Sequence, residues 1–154
     1  MLELNQDAPQ FSLLNEDNQT ITLNDYKGSK NIILYFYPKD DTSGCTLEAS
    51  QFTSLIDEFI AQNTIVIGVS KDNCTSHKSF INKYNLKVML LADTSGELCN
   101  AYGVWQEKEK NGIKKMGIVR STFIINKSGK LVSVEYGVMA DGHAQMVLDK
   151  VKSL

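Results

Sequence analysis

Ile32-Ile33-Leu34-Tyr35-Phe36-Tyr37-Pro38-Lys39-Asp40-Asp41-Thr42-Ser43-Gly44-Cys45-Thr46 runs from an unbroken apolar stretch, through a polar turn, to a single cysteine. Ile32–Tyr37 mixes β-branched and aromatic residues without a charge, as a strand buried on both faces does. Beyond Cys45, the residues Leu47, Phe52, Leu55, Ile56, Phe59 and Ile60 recur at three- and four-residue steps. That is the period of a helix, here expected from about Thr46 to Gln62. Cys45 is thereby placed in or beside the first helical turn, where unpaired amides and the helix dipole favour an anion. A free thiol with a pKa of about 8.5 is only ~3% ionised at neutral pH, whereas one lowered to about 6 is ~90% ionised. Cys45 is therefore expected to be a nucleophilic thiolate. The competing reading is a buried, inert cysteine. The neighbours Asp40, Asp41, Thr42, Ser43 and Gly44 argue for a partly exposed site instead.

Outward from this stretch the elements alternate. Short strands are expected near Phe11–Leu13 and Thr20–Leu23, then a strand at Thr64–Val69, a helix at Thr75–Tyr84 and a short strand around Met89–Leu91. Asp93-Thr94-Ser95-Gly96 reads as a turn before a short helix ending at Tyr102. Strands at Ser121–Ile125 and Leu131–Glu135 flank the turn Asn126-Lys127-Ser128-Gly129, and a closing helix spans about Ala144–Lys152. Strand–helix–strand order implies parallel pairing through a right-handed crossover, and the hairpin adds antiparallel strands. The expected class is α/β, a central mixed sheet flanked by helices with an N-terminal strand extension.

At 154 residues the chain suits one domain, 1–154, with a core that needs no staples. Its hydrophobic content of 42% and charged content of 22% are ordinary for a globular protein. A formal net charge of −2 gives no general pull towards nucleic acid or anionic membranes. Lys108, Lys110, Lys114 and Lys115 cluster, but Glu107, Glu109 and Asn111-Gly112 dilute them, so the segment reads as a solvated loop. No apolar stretch approaches the ~20 residues that span a bilayer, and the start shows no secretory signal. Three irregularly spaced cysteines form no disulfide framework, which points to a reducing cytoplasm.

Pro38, Thr42 and Cys45 reproduce the P-x-x-x-T-x-x-C pattern of the peroxiredoxins, and Thr46 and Glu48 extend it. The longer stretch Tyr37–Thr42 resembles the bacterioferritin-comigratory, or Q-type, subgroup. So do Phe11-Ser12-Leu13, Gly68-Val69-Ser70, Ala101-Tyr102-Gly103-Val104-Trp105 and Arg120-Ser121-Thr122-Phe123-Ile124-Ile125. The resemblance implies a thioredoxin-like fold and a thiol peroxidase acting on hydrogen peroxide and organic hydroperoxides. It implies no cofactor and no metal, with thioredoxin or another thiol as reductant, and a monomer, a weak dimer being the alternative. In that reading Cys45 attacks the peroxide and becomes a sulfenic acid. Thr42 accepts or donates a hydrogen bond to the bound peroxide, and Pro38 shields the pocket. The amides around Gly44 and Cys45 bind the peroxide oxygen. Arg120 polarises it and favours the thiolate. Arg120 is the chain's one arginine, the other fifteen basic residues being lysines, so no second guanidinium is available. Glu48 reads equally well as a brace for Arg120 or as an acid placed in the first helical turn.

Two departures from the subgroup stand out. Ser43 replaces a common proline, and Ser50 occupies the position where many relatives carry a resolving cysteine. Of the remaining thiols, Cys99 shares a helical face with Ala101 and Tyr102 and is expected in the core. Cys74 is the candidate resolver of an alternative two-cysteine cycle, which would require local unwinding. The leading reading is a single-cysteine cycle closed by an external thiol. Thioredoxin-type exchange is disfavoured because Thr42 stands where the first cysteine of a C-x-x-C pair would. Hydrolase chemistry lacks a suitably placed histidine. Cys74 and His77 form at best half a zinc site, and a polar helix start is the better reading. A non-enzymatic redox sensor or holdase built on Cys45 remains the alternative to turnover.

Overall fold

A computed structural model describes residues 2–154. In chain order the elements are β1 (Ser12–Leu14), β2 (Thr20–Thr22), β3 (Asn31–Phe36), α1 (Ser43–Ser54), α2 (Ile56–Ala61), β4 (Thr64–Ser70), α3 (Cys74–Tyr84) and β5 (Met89–Ala92). There follow α4 (Glu97–Ala101), β6 (Trp105–Lys110), β7 (Ile113–Ile118), β8 (Ser121–Ile125), β9 (Leu131–Tyr136) and α5 (His143–Lys152). A five-stranded sheet has the order β5-β4-β3-β8-β9. β3 pairs in parallel with β4, and β4 with β5, while β8 runs antiparallel to both β3 and β9. This is the mixed sheet the alternating pattern implies.

β3 is central and its side chains divide by strand alternation. Ile32, Leu34 and Phe36 face one apolar layer with Phe11, Leu98, Tyr102 and Phe123. Ile33, Tyr35 and Tyr37 face the other, which packs against Phe52, Phe59, Phe80, Val147 and Leu148 from the helices. Burial on both faces is why β3 carries no polar residue beyond its first. β1 and β2 pair as a separate antiparallel ribbon, the expected N-terminal extension.

Two local expectations are corrected. The long helix breaks at Leu55 (φ −103°, ψ 7°), giving α1 and α2, because Leu55 keeps the apolar period while leaving helical geometry. The segment read as a solvated loop is instead the β6–β7 hairpin, closed by Asn111 and Gly112, both with positive φ. An Asn-Gly pair suits a two-residue hairpin turn for that reason.

Gly68 on β4 lies beneath the Tyr35 ring. A Cβ there would sit 2.7 Å from Tyr35 Cζ and 2.8 Å from Leu90 Cδ2, both inside a packed core. Gly68→Ala is expected to lower the unfolding free energy by about 1–3 kcal/mol, as overpacking does. Urea denaturation measures it, and an unchanged midpoint would show that Tyr35 is free to move aside.

Candidate active site

The site forms where β3 ends and α1 begins. Thr42 takes the N-cap position in extended geometry and makes no side-chain cap bond, so the first-turn amides of Ser43, Gly44 and Cys45 gain no acceptor from it. Cys45 is thus the third helical residue of a 12-residue helix, with the positive end of the dipole beside it. Serine at the first helical position is compatible with this start, where proline would also fit.

Arg120 immediately precedes β8, whose antiparallel register sets Ser121 against Phe36 and so brings Arg120 to the end of β3. Its carbonyl accepts from Val138 N at 2.9 Å, which fixes the backbone. Its guanidinium divides: Nη2 donates to Cys45 Sγ at 3.3 Å, and Nη1 donates to Glu48 Oε1 at 2.7 Å. Gly44 permits this approach, since a Cβ there would meet Nη2 at 3.1 Å. Glu48 is the sixth residue of α1 and wholly buried, so its reading as a first-turn acid is corrected and its contact with Arg120 is direct. Burial pushes the Glu48 carboxyl up to about 7, against the pull of Arg120. Glu48 Oε2, Tyr35 Oη and Thr46 Oγ1 are buried without a hydrogen-bond partner among the described residues. Such atoms cost about 1–3 kcal/mol each, and they gather round the cysteine.

Cys45 itself is 2% exposed, packed with Tyr35, Ala49 and Phe52, which corrects the expectation of partial exposure. In the turn before it Lys39, Asp41, Thr42 and Ser43 are exposed, and Asp40 alone is buried, satisfied by partners outside the turn. Asp40 Oδ1 accepts from Tyr37 Oη at 2.6 Å, and Oδ2 accepts from Ser76 Oγ at 2.8 Å and lies 2.8 Å from His77 Nδ1. Its amide donates to Asp72 Oδ2 at 2.8 Å. His77 Nε2 lies 2.9 Å from the Leu91 carbonyl, so both ring nitrogens face oxygen atoms. His77 lies in the first turn of α3, at the polar helix start expected, with its ring buried. Asp41, at φ 57°, is held by Lys83 at 2.7 Å and by the Tyr84 hydroxyl. Both ends of α3 thus grip the turn that delivers Cys45. Sequence reasoning missed this role for Asp40 and His77, and the only signal was the pairing of an Asp-Asp turn with a histidine on the next helix.

The other proposed residues are placed as follows. Thr42 is exposed and its hydroxyl donates to the Lys39 carbonyl at 2.9 Å. Pro38 is half-buried and borders a groove shared with Lys71 and Trp105. Cys74 opens α3 and lines a separate small cavity with Glu16, Asn18 and Lys78. All three thiols are free. Cys99 is buried, as expected, and burial with the Asp93 carboxylate pushes its thiol far up, out of the reactive range. No metal-binding cluster of His, Cys, Asp or Glu exists among the described residues.

Comparisons with known proteins agree with this geometry. The AhpC/TSA family matches residues 4–134. The chain is 47% identical over 150 residues to the bcp protein of Helicobacter pylori (strain J99), covering 97% of this chain and 98% of that one. It is 40% identical over 153 residues to peroxiredoxin Bcp of Bacillus subtilis (strain 168), covering 99% and 97%. Its fold superposes on the bacterioferritin comigratory protein of Xanthomonas campestris, whose structure is described in terms of alkyl peroxide reduction, with a TM-score of 0.88 and 35% identity over 93% of this chain and 90% of that one. A PrxQ from Xylella fastidiosa gives 0.93 and 34% identity over 99% and 97%. The sheet and its helices are the thioredoxin-like fold expected from the sequence.

The raised Glu48 carboxyl has a signed consequence for stability. Its folded value, about 7, lies above the ordinary 4.5, so the unfolded chain loses this proton first. Stability from this group is full below about 4.5 and falls as pH rises towards 7. Urea denaturation of wild type and Glu48→Gln across that range should show wild type losing stability relative to the variant as pH increases. A constant difference would contradict the assigned burial cost.

Proposed function

Because the chain belongs to the AhpC/TSA family and is a thiol peroxidase of the Bcp peroxiredoxin kind, we propose that Cys45 is its peroxidatic thiol and works in a single-cysteine cycle. The observation that carries this reading is the 3.3 Å contact between Arg120 Nη2 and Cys45 Sγ at the open first turn of α1. The anionic sulfur attacks the terminal oxygen of the hydroperoxide. An Sγ–O bond forms as the O–O bond breaks, and the departing oxygen takes up a proton to leave as alcohol or water. Cys45 becomes a sulfenic acid. Arg120 Nη2 and the first-turn amides of Gly44 and Cys45 are donors aimed where charge builds on the peroxide oxygens. The Thr42 hydroxyl, its proton held on Lys39, offers only lone pairs, so it accepts the O–H of the bound hydroperoxide and orients it. Pro38, lacking an amide proton, closes the groove side of the pocket without competing for the substrate. Glu48 holds the guanidinium in place as a positioning residue.

The cycle closes with a dithiol reductant, for which thioredoxin is the proposed partner. Its first thiolate attacks the Cys45 sulfur and displaces hydroxide, forming a mixed disulfide. Its second thiol then releases Cys45 and leaves as the reductant's own disulfide. Ser50 cannot form a disulfide, and Cys74 faces a different cavity, which together favour this external route. Family resemblance supports a cytoplasmic setting, a role in cell redox homeostasis and a monomeric working form, a weak dimer being the alternative.

Peptide mapping after one equivalent of hydrogen peroxide should find a single added oxygen on Cys45, and Cys45→Ser should reduce thioredoxin-driven peroxide consumption to background. A dominant Cys45–Cys74 disulfide would overturn the single-cysteine cycle. Absence of Cys45-dependent turnover with any thiol would overturn the assignment of Cys45.

A further inference from the structure

A groove of about 680 Å³ starts at Pro38, at the edge of the catalytic turn, and runs along the β6–β7 hairpin. Its basic lining is Lys71, Lys108, Lys110 and Lys115. Lys108 sits directly opposite Lys115 across the ribbon, and Lys110 opposite Ile113, so one face of the hairpin carries like charges in register. Like charges directly opposite on a sheet destabilise it. Glu107 and Glu109 alternate to the face that also carries Trp105, Met116 and Ile118, where Glu109 is opposite Lys114 and Glu107 lies 3.9 Å from the Lys114 ammonium, and neither acid lines the groove. Among the described residues none of the four groove lysines has a carboxylate within ion-pair distance. The groove lining therefore brings together four lysines and no acid, although the Lys108 ammonium also donates to the Ile118 carbonyl at 2.9 Å.

The groove also has an apolar component. Trp105 lies under the Lys71 ammonium, 4.3 Å from its ring centroid, and Ile118 continues the floor. Towards the tip, Ile113 is 68% exposed and Met116 46% exposed, large apolar surface held open to solvent. Six-residue strands make the ribbon about 20 Å long, far beyond the reach of a small peroxide. The ammonium groups are spread along that length, from Lys71 beside Trp105 to Lys110 at the turn, rather than gathered at one end. An amphiphile with one anionic head would use one end of such a groove. A protein surface bearing several carboxylates around an apolar centre matches all of it.

We propose that this groove is the docking surface for the acidic, apolar-centred face of the dithiol protein that reduces oxidised Cys45. The proposal rests on the reading of Cys45 as a peroxidatic thiol resolved from outside. Docking there seats the partner against Pro38, so its thiol approaches the catalytic turn while the hairpin carries the remainder of the contact. Electrostatic complementarity of this kind acts chiefly on the encounter rate and falls with added salt.

The test compares two reductants on the same enzyme. Lys110→Glu/Lys115→Glu cancels the positive charge of the groove, and it sets Glu opposite Lys108, a pairing that supports the hairpin fold. With thioredoxin, thioredoxin reductase and NADPH, kcat/KM for thioredoxin should fall about tenfold or more at low salt, and its salt dependence should flatten. Turnover driven by dithiothreitol and KM for hydrogen peroxide should be unchanged, as should all three in the control Glu107→Gln/Glu109→Gln, whose acids do not line the groove. An unchanged kcat/KM for thioredoxin overturns the docking surface. A loss confined to KM for a long-chain carboxylate hydroperoxide also overturns it and makes the groove a substrate subsite. Failure of dithiothreitol turnover in the wild type would instead strike the peroxidase reading beneath it.

Discussion

One guanidinium shared between a sulfur and a buried carboxylate organises this end of the molecule. Opposite unit charges 4 Å apart attract by about 4 kcal/mol at an effective dielectric of 20. A helix N-terminus contributes roughly 0.3–1 kcal/mol to an anion, rising to ~2 in favourable buried geometry. Arg120 therefore outweighs the helix dipole as a source of positive charge beside Cys45, and the first-turn amides are chiefly directional donors. Glu48 is needed because a guanidinium beside a single sulfur would still have rotamers open to it. The 2.7 Å contact removes them, at the cost of burying a carboxyl whose second oxygen has no partner.

The rest of the fold serves that contact. The antiparallel step from β3 to β8 brings Arg120 beside a cysteine 75 positions away in sequence. The turn between β3 and α1 is fixed through Asp40 to Ser76 and His77, and through Asp41 to Lys83 and Tyr84. Tyr35, stacked on Phe52 at 4.8 Å and admitted by the bare Gly68, forms the floor under Cys45 and Glu48. A buried cysteine in the first turn of α1, preceded by a turn clamped from both ends of α3, is held in place before any substrate arrives, as the proposed role requires.

Which parts of this were legible in the sequence follows from burial. β3 and β4 were readable because both faces are covered and the apolar run is continuous. Arg120 was readable because no other arginine competes for its place. The β6–β7 hairpin was not, since Glu107–Lys110 alternate in charge and the apolar residues of the ribbon, Trp105, Ile113, Met116 and Ile118, fall into no regular two-residue pattern. Its Asn111-Gly112 turn carried the signal that could have found it. The burial of Cys45 is hidden in the sequence because polar neighbours ordinarily mark a solvent-facing segment. Asp40 is instead buried among hydrogen-bond partners from α3 that local pattern cannot reveal. The break at Leu55 was hidden for a related reason: an apolar side chain in register preserves the period even where the backbone leaves the helix.

The most direct measurement is the single-turnover rate of Cys45 oxidation by hydrogen peroxide, followed by rapid quench, in Arg120→Met beside Arg120→Lys. Loss of a preorganised donor to the reacting oxygens predicts a fall of about 10²–10³-fold in the methionine variant, with the lysine variant only partly restored. Oxidation of the methionine variant at the wild-type rate would contradict the account, because the guanidinium would then contribute nothing to the reacting sulfur it touches.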